Sequence, residues 1–237
     1  MKPAPIALLL AAAVAGAAAG FLAYRQHAAS APGVTPAPTA PVPASAASPA
    51  PAPPASADSA AAAPSIPDTV PDISLPDLTG KPHALRSSDG HARLYNFWAT
   101  WCEPCRREIP LLNTLQGAYA REGLQVVGIA VDFRDAVHKY LETATLRYTL
   151  LVGEEDGYEA AQKFGMDLLL PFSVFADGRN RIVAVKVGEL HRDEADAILG
   201  QMRLLEAGKT DLPAAQATIA ATMKELASRR AQQSASK

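Results

Sequence analysis

The chain of 237 residues carries two cysteines, Cys102 and Cys105, both within WATWCEPCRREIP (residues 98–110). Two thiols at this spacing offer a structural disulfide, part of a metal site, or a redox dithiol. A zinc site needs four ligands. The five histidines, at 27, 83, 91, 138 and 191, do not complete a Cys-x-x-Cys…His-x3-His pattern. A structural bridge across so short a loop constrains the unfolded chain only modestly. The redox dithiol carries most of the weight.

The flanking residues explain why. ARLYNFWA (92–99) is an almost continuous apolar run of strand length, as for a strand covered on both faces. Cys102 to Arg121 reads as a helix, with Ile109, Leu112, Leu115 and Tyr119 on one side and Gly123 ending it. A helix N-terminus has unpaired N–H groups and partial positive charge, and both stabilise a thiolate. Cys102 is therefore assigned as the attacking thiol and Cys105 as the resolving one. Pro104 is tolerated because N–H groups of a first turn have no helical partner. Glu108 lies three residues after Cys105 and shares its face. It is either a partly buried acid that moves protons near the dithiol or a solvated surface glutamate. Of the two tryptophans, Trp98 reads as core and Trp101 as a surface contact for a substrate, since aromatic residues anchor interfaces.

The rest of the folded part, from residue 66 to 208, alternates strand and helix. PDISLPDLTGKPHALRSSDG (71–90) reads as a hairpin with turns at Thr79-Gly80 and Asp89-Gly90. Strands are expected at 124–132, 148–153, 171–176 and 181–188, and helices at 135–146, 158–164 and 193–208. This pattern predicts an α/β domain with a central mixed sheet flanked by helices. A further helix is expected from Leu212 to about Arg230, within an extension over 209–237.

The first 65 residues differ in kind. Ile6 to Tyr24 is a stretch of 19 uncharged residues following Lys2, close to the roughly 20 that span a bilayer. Residues 1–27 are read as a signal anchor, with an A-x-A site at Ala17–Ala19 leaving cleavage open. Residues 28–65 hold ten prolines and one charged residue, Asp58. Such Ala/Pro/Ser chain does not fold and favours extended polyproline II, giving a spacer on the order of 100 Å. The formal net charge of -2 points to no nucleic-acid partner.

NFWATWCEPCRREIP resembles the active-site stretch of the TlpA/ResA group of thioredoxin-like thiol-disulfide oxidoreductases. PDISLPDLTGKPHAL and LPFSVFADGR (170–179) resemble the group's lead-in segment and proline-containing strand. The likeness runs from about Pro71 to Leu205. It implies a thioredoxin-like fold with an N-terminal hairpin extension and a βα-type insertion, Arg134 to Met166, before a cis-proline at Pro171. It implies that Glu108 is functional and that the backbone before Pro171 pairs with substrate beside the cysteines. Asn96 stands where cytoplasmic thioredoxins carry a buried aspartate. Since Asn is no base, that duty moves toward Glu108.

The candidate site is therefore Cys102, Cys105 and Glu108 as catalytic residues. Trp101, Glu103, Pro104, Leu170, Pro171 and Phe172 are expected to meet substrate, and Asn96 and Trp98 to support the site. Phe172 departs from the group's usual residue. With Leu168-Leu169-Leu170 it reads equally as an apolar docking surface or as a strand entering the core. Glu103 and Glu108 raise thiol pKa values against the helix dipole, which argues for a reducing poise. The resemblance further implies a periplasmic catalytic domain anchored in the bacterial inner membrane, and a transmembrane electron donor of the CcdA/DsbD type. The implied substrate is a disulfide in apocytochrome c or a copper-site protein. No metal and no cofactor beyond the cysteine pair is expected. The other readings are a general disulfide oxidase or isomerase, and a copper chaperone using the dithiol.

Overall fold

The computed structural model describes residues 65–167 and 169–236. The expected anchor, the linker up to residue 64, and Leu168 lie outside the described residues. Among the described residues no helix is long and apolar enough to cross a membrane.

A short hairpin, β1 (Ser74–Pro76) and β2 (Pro82–Ala84), comes first. Its turn is held by the Asp77 carboxylate, which accepts from the Thr79 N–H at 2.8 Å and the Lys81 N–H at 3.1 Å, while Gly80 supplies a φ of 90°. Then follow β3 (Ala92–Trp98), α1 (Glu103–Tyr119), β4 (Leu124–Ala130), α2 (Arg134–Leu141), β5 (Thr149–Val152), α3 (Glu155–Lys163), β6 (Phe172–Ala176), β7 (Ile182–Val187), α4 (Arg192–Glu206) and α5 (Leu212–Ala235). Between α1 and β4 a 3-10 turn, Ala120–Glu122, ends at Gly123 with φ of 88°.

The main sheet has the order β5-β4-β3-β6-β7. β3 is parallel to β4 and antiparallel to β6, and β4 is parallel to β5. Every residue of β3 is buried, as the apolar run predicts. One face packs Tyr95 and Phe97 with Phe164 and Phe172. The other packs Leu94 with Leu112, Leu115, Phe175, Ile198 and Met202. Toward the C-terminal end of β3, Trp98 joins Cys102, Cys105 and Ile109 in a third cluster. This is a thioredoxin-like fold. α2, β5 and α3 form the expected insertion, and the Leu170-Pro171 peptide is cis.

Two differences from the sequence reading are informative. The helix expected to reach Leu146 stops at Leu141. Just beyond it the Thr143 hydroxyl donates to the Tyr140 carbonyl at 3.2 Å, an example of a short polar side chain competing for helical backbone. The C-terminal helix, α5, belongs to the same compact unit as the rest of the described chain. It buries Ala215, Ile219 and Leu226, and Ile219 lies in the cluster beneath α1 and α4. Gln216 donates to the Ile182 carbonyl on β7 at 3.0 Å.

Ile219→Ala is therefore expected to cost about 2–3 kcal/mol of stability, as for other truncations in packed cores. Urea unfolding should show a lower midpoint with an unchanged slope. A midpoint equal to that of the wild type would mean that α5 contributes no core packing.

Candidate active site

Cys102 is the N-cap of α1, with extended backbone at φ -84° and ψ 106°. Its Sγ accepts from the Cys105 N–H at 3.3 Å, and its carbonyl accepts from the Arg106 N–H at 3.1 Å. The two cysteines form a disulfide. Cys102 retains 5% exposure and Cys105 none, so solvent and substrate reach the first sulfur before the second. Reduction would leave a Cys102 thiolate at the helix N-terminus, where the Cys105 N–H already points at its sulfur.

Glu108 lies in the buried stripe of α1 with Cys105, Ile109, Leu112 and Leu115 and is 2% exposed. The surface-glutamate reading is thereby removed. Asn96 Nδ2 donates to Glu108 Oε1 at 2.7 Å, and the Leu190 N–H donates to Oε2 at 2.6 Å. The same Asn96 nitrogen reaches Ser173 Oγ at 3.1 Å. Burial pushes the Glu108 carboxyl up to about 7, with Glu189 adding in the same direction. The bonds from Leu190 and Asn96, and the Lys186 charge, oppose that rise. The result is an acid that exchanges its proton near neutral pH, three residues from the resolving cysteine.

The loop bearing Leu190 is fastened twice. The Gly188 N–H donates to the Pro171 carbonyl at 2.8 Å, and Arg107 holds Glu189 at 2.6 Å while also meeting Glu103 at 3.1 Å. Arg107 thus pairs with the glutamate between the cysteines and with the one in the loop that bonds Glu108.

Around Cys102 the expected residues separate. Trp101 is 63% exposed, Glu103 is exposed and Pro104 half-buried. Leu170 packs against the dithiol cluster, directly before Pro171, and Leu169 is exposed. Phe172 is a correction. It is fully buried and stacks on Phe97 with ring centroids 4.2 Å apart. Side chains alternate along β6, and register places Phe172 opposite Phe97, so it enters the core and offers nothing to a substrate. Trp98 is fully buried and packs near Tyr140, with centroids 5.5 Å apart.

Two residues were missed by sequence reasoning. Asp132, itself buried, accepts from the Thr100 N–H at 2.9 Å and the Thr100 hydroxyl at 2.6 Å. It thus pins the loop before Cys102 to the end of β4. The next residue, Phe133, is 62% exposed. The clamp sets Phe133 beside the loop that carries Trp101. The available signal was Asp132-Phe133 directly after the apolar run of β4.

The raised Glu108 carboxyl has a consequence for stability. Its folded value, about 7, exceeds its ordinary value of 4.5, so the folded state holds the proton longer than the unfolded one. The contribution of Glu108 to stability is fully present below pH 4.5 and is lost as pH rises to about 7, by roughly 3 kcal/mol at about 1.36 kcal/mol per unit. Glu108→Gln should flatten this slope in urea unfolding between pH 5 and pH 8. An unchanged slope would show that Glu108 does not titrate in this range.

The profile of the AhpC/TSA family matches residues 66–184. The thiol-disulfide oxidoreductase ResA of Geobacillus kaustophilus is 28% identical over 140 residues, covering 59% of this chain and 79% of that protein. The thioredoxin-like protein YneN of Bacillus subtilis is 33% identical over 132 residues, covering 53% and 74%. Among solved structures, a thiol:disulfide interchange protein of the thioredoxin family from Chlorobium tepidum is 30% identical. It covers 57% of this chain and 96% of its own, with a TM-score of 0.51. With a dithiol at a helix N-cap, a cis-proline and these relatives, the chain belongs to the AhpC/TSA family as a ResA-like, thioredoxin-like thiol-disulfide oxidoreductase.

Proposed function

We propose that this oxidoreductase works as a disulfide reductase on protein substrates outside the cytoplasm. The observation that carries the direction is the charge around the dithiol. Glu103 stands between the two cysteines and Glu108 three residues after the second, Glu189 lies close enough to Glu108 to raise its carboxyl, and Arg107 is engaged by Glu103 and Glu189. Negative charge destabilises a thiolate, and a dithiol with a poorly stabilised thiolate gives up its electrons readily.

The Cys102 thiolate attacks one sulfur of a substrate disulfide, forming a mixed disulfide and releasing a substrate thiolate that takes up a proton. Cys105 then loses its proton to Glu108 and attacks Cys102 Sγ, releasing the second substrate thiolate, which takes up the proton that Glu108 gives back. Substrate gains two electrons and two protons, and the Cys102–Cys105 bond forms. A transmembrane donor of the CcdA/DsbD type would reduce it again. Residues 1–27 would anchor the enzyme in the bacterial inner membrane, and residues 28–65 would set its reach into the periplasm, since tethering raises the local concentration of membrane partners. Apocytochrome c and copper-site proteins, with their vicinal thiols, are the proposed substrate classes. Trp101, Phe133 and Leu169, from three loops around Cys102, would receive an apolar segment beside the substrate disulfide.

The test is capture. Cys105→Ser should hold substrates as mixed disulfides on Cys102, and Cys102→Ser should hold none. Equal capture by both variants would refute the assignment of Cys102 as nucleophile. The midpoint potential should lie well below the roughly -120 mV of DsbA; a value near that figure would reverse the direction. For the docking surface, Trp101→Ala with Phe133→Ala should raise KM for a protein disulfide about tenfold, as loss of an interface anchor does. Turnover of a small aromatic disulfide should be left unaltered. Equal effects on both substrates would remove the docking role.

A further inference from the structure

Below α1, one row of the sheet reads Ser173, Asn96, Gly128 and Leu150 across β6, β3, β4 and β5. A glycine inside a central strand gives up packing unless something approaches closely. Here something does. A Cβ on Gly128 would stand 2.8 Å from Tyr148 Cε2 and 3.4 Å from Trp98 Nε1. Tyr148, one residue before β5, lays its ring over β4 where Gly128 has no side chain.

Among the described residues three buried side-chain polar atoms lack a hydrogen-bond partner: Asn96 Oδ1, Trp98 Nε1 and Tyr148 Oη. All three belong to residues gathered around Gly128. Asn96 turns Nδ2 toward Glu108 and toward Ser173 on the β6 side. Its Oδ1 is thereby turned to the β4 side, where Trp98 and Tyr148 stand. The set comprises an acceptor, a donor and a hydroxyl that can serve as either. Buried polar atoms are almost always satisfied, and a buried water typically makes about three hydrogen bonds to groups that are otherwise unpaired.

We propose that Asn96 Oδ1, Trp98 Nε1 and Tyr148 Oη hold one internal water above Gly128, and that through it Tyr148 is a positioning residue for Glu108. The water accepts from the Trp98 N–H, donates to Asn96 Oδ1 and bonds the Tyr148 hydroxyl. It thus fixes the Asn96 amide with nitrogen toward the carboxylate. An amide free to turn over would present Oδ1 to Glu108 and withdraw a donor from its charged form. The groups facing Glu108 are Cys105 on its own helix, Asn96 on β3, the Leu190 N–H and Glu189 before α4, Lys186 on β7, and Tyr148. Tyr148 stays protonated: burial, and then the Glu108 charge, push its phenol up.

The inference concerns the site of the proposed reductase, but its readout is a titration and does not depend on the direction of electron flow. In the oxidised full chain, the infrared band of the protonated Glu108 carboxyl is followed against pH and assigned by its loss in Glu108→Gln. Tyr148→Phe keeps the ring and removes the hydroxyl, and should move the midpoint upward by about half a unit or more, as loss of a hydrogen bond to the charged form does. Gly128→Ala, which forces the Tyr148 ring aside, should move it the same way and serves if Tyr148→Phe does not fold. Tyr119→Phe removes a hydroxyl that bonds Asp196 instead and should leave the midpoint in place. A crystal structure should place a water within hydrogen-bond distance of Trp98 Nε1. An unmoved midpoint in the folded Tyr148 or Gly128 variant, or no such water, overturns the proposal. Either result leaves the capture experiment, and with it the reductase reading, standing.

Discussion

A carboxylate inside an apolar stripe must have its oxygens answered, and this requirement organises the site. Glu108 cannot turn to solvent, because its neighbours on the helix, Cys105, Ile109 and Leu112, face the sheet. Its two oxygens are met by a side chain of the central strand and by a backbone N–H of the loop before α4. For both bonds to exist, α1, β3 and that loop must hold fixed positions relative to each other. The Gly188 bond to Pro171 extends the constraint to the cis-proline. The dithiol, the acid and the cis-proline are thus parts of one assembly, cross-braced through a single acid.

The electrostatics of the site are a contest between the helix and its glutamates. The N-terminus of α1 and the Cys105 N–H favour a thiolate on Cys102, whereas the nearby carboxylates oppose it. Arg107 could have tipped the balance toward the thiolate, but it bridges Glu103 and Glu189 and is largely neutralised by them. Such exposed pairs contribute little to stability. Their effect here is positional: they tie the start of the helix to the loop that hydrogen-bonds Glu108.

Much of this was legible in the sequence. The apolar run at 92–99, the Cys-x-x-Cys after it and the alternation of strand and helix are local patterns, and local patterns survive without tertiary information. The cis-proline and the importance of Glu108 came from resemblance, because a lone X-Pro or a lone glutamate carries no such signal. What stayed hidden depended on register. Phe172 could be placed inside only once β6 was paired with β3, which sets it against Phe97. The Asp132 clamp on Thr100 joins residues 32 positions apart. The fit of Tyr148 over Gly128 depends on β4 and β5 being neighbours, and neither residue announces the other in the sequence.

The last helix gives the chain's far end a hold on its chemical centre. Arg230 on α5 pairs with Asp193 and, at 2.6 Å, with Glu194. Glu194 in turn accepts from the His191 N–H at 3.0 Å, and His191 directly follows the residue whose N–H solvates Glu108. A side chain near the C-terminus therefore stands three hydrogen bonds and one peptide link from the acid beside the dithiol. Whatever loosens α5, whether a tag, a clipped tail or a bound protein, loosens the loop that sets how readily that acid keeps its proton.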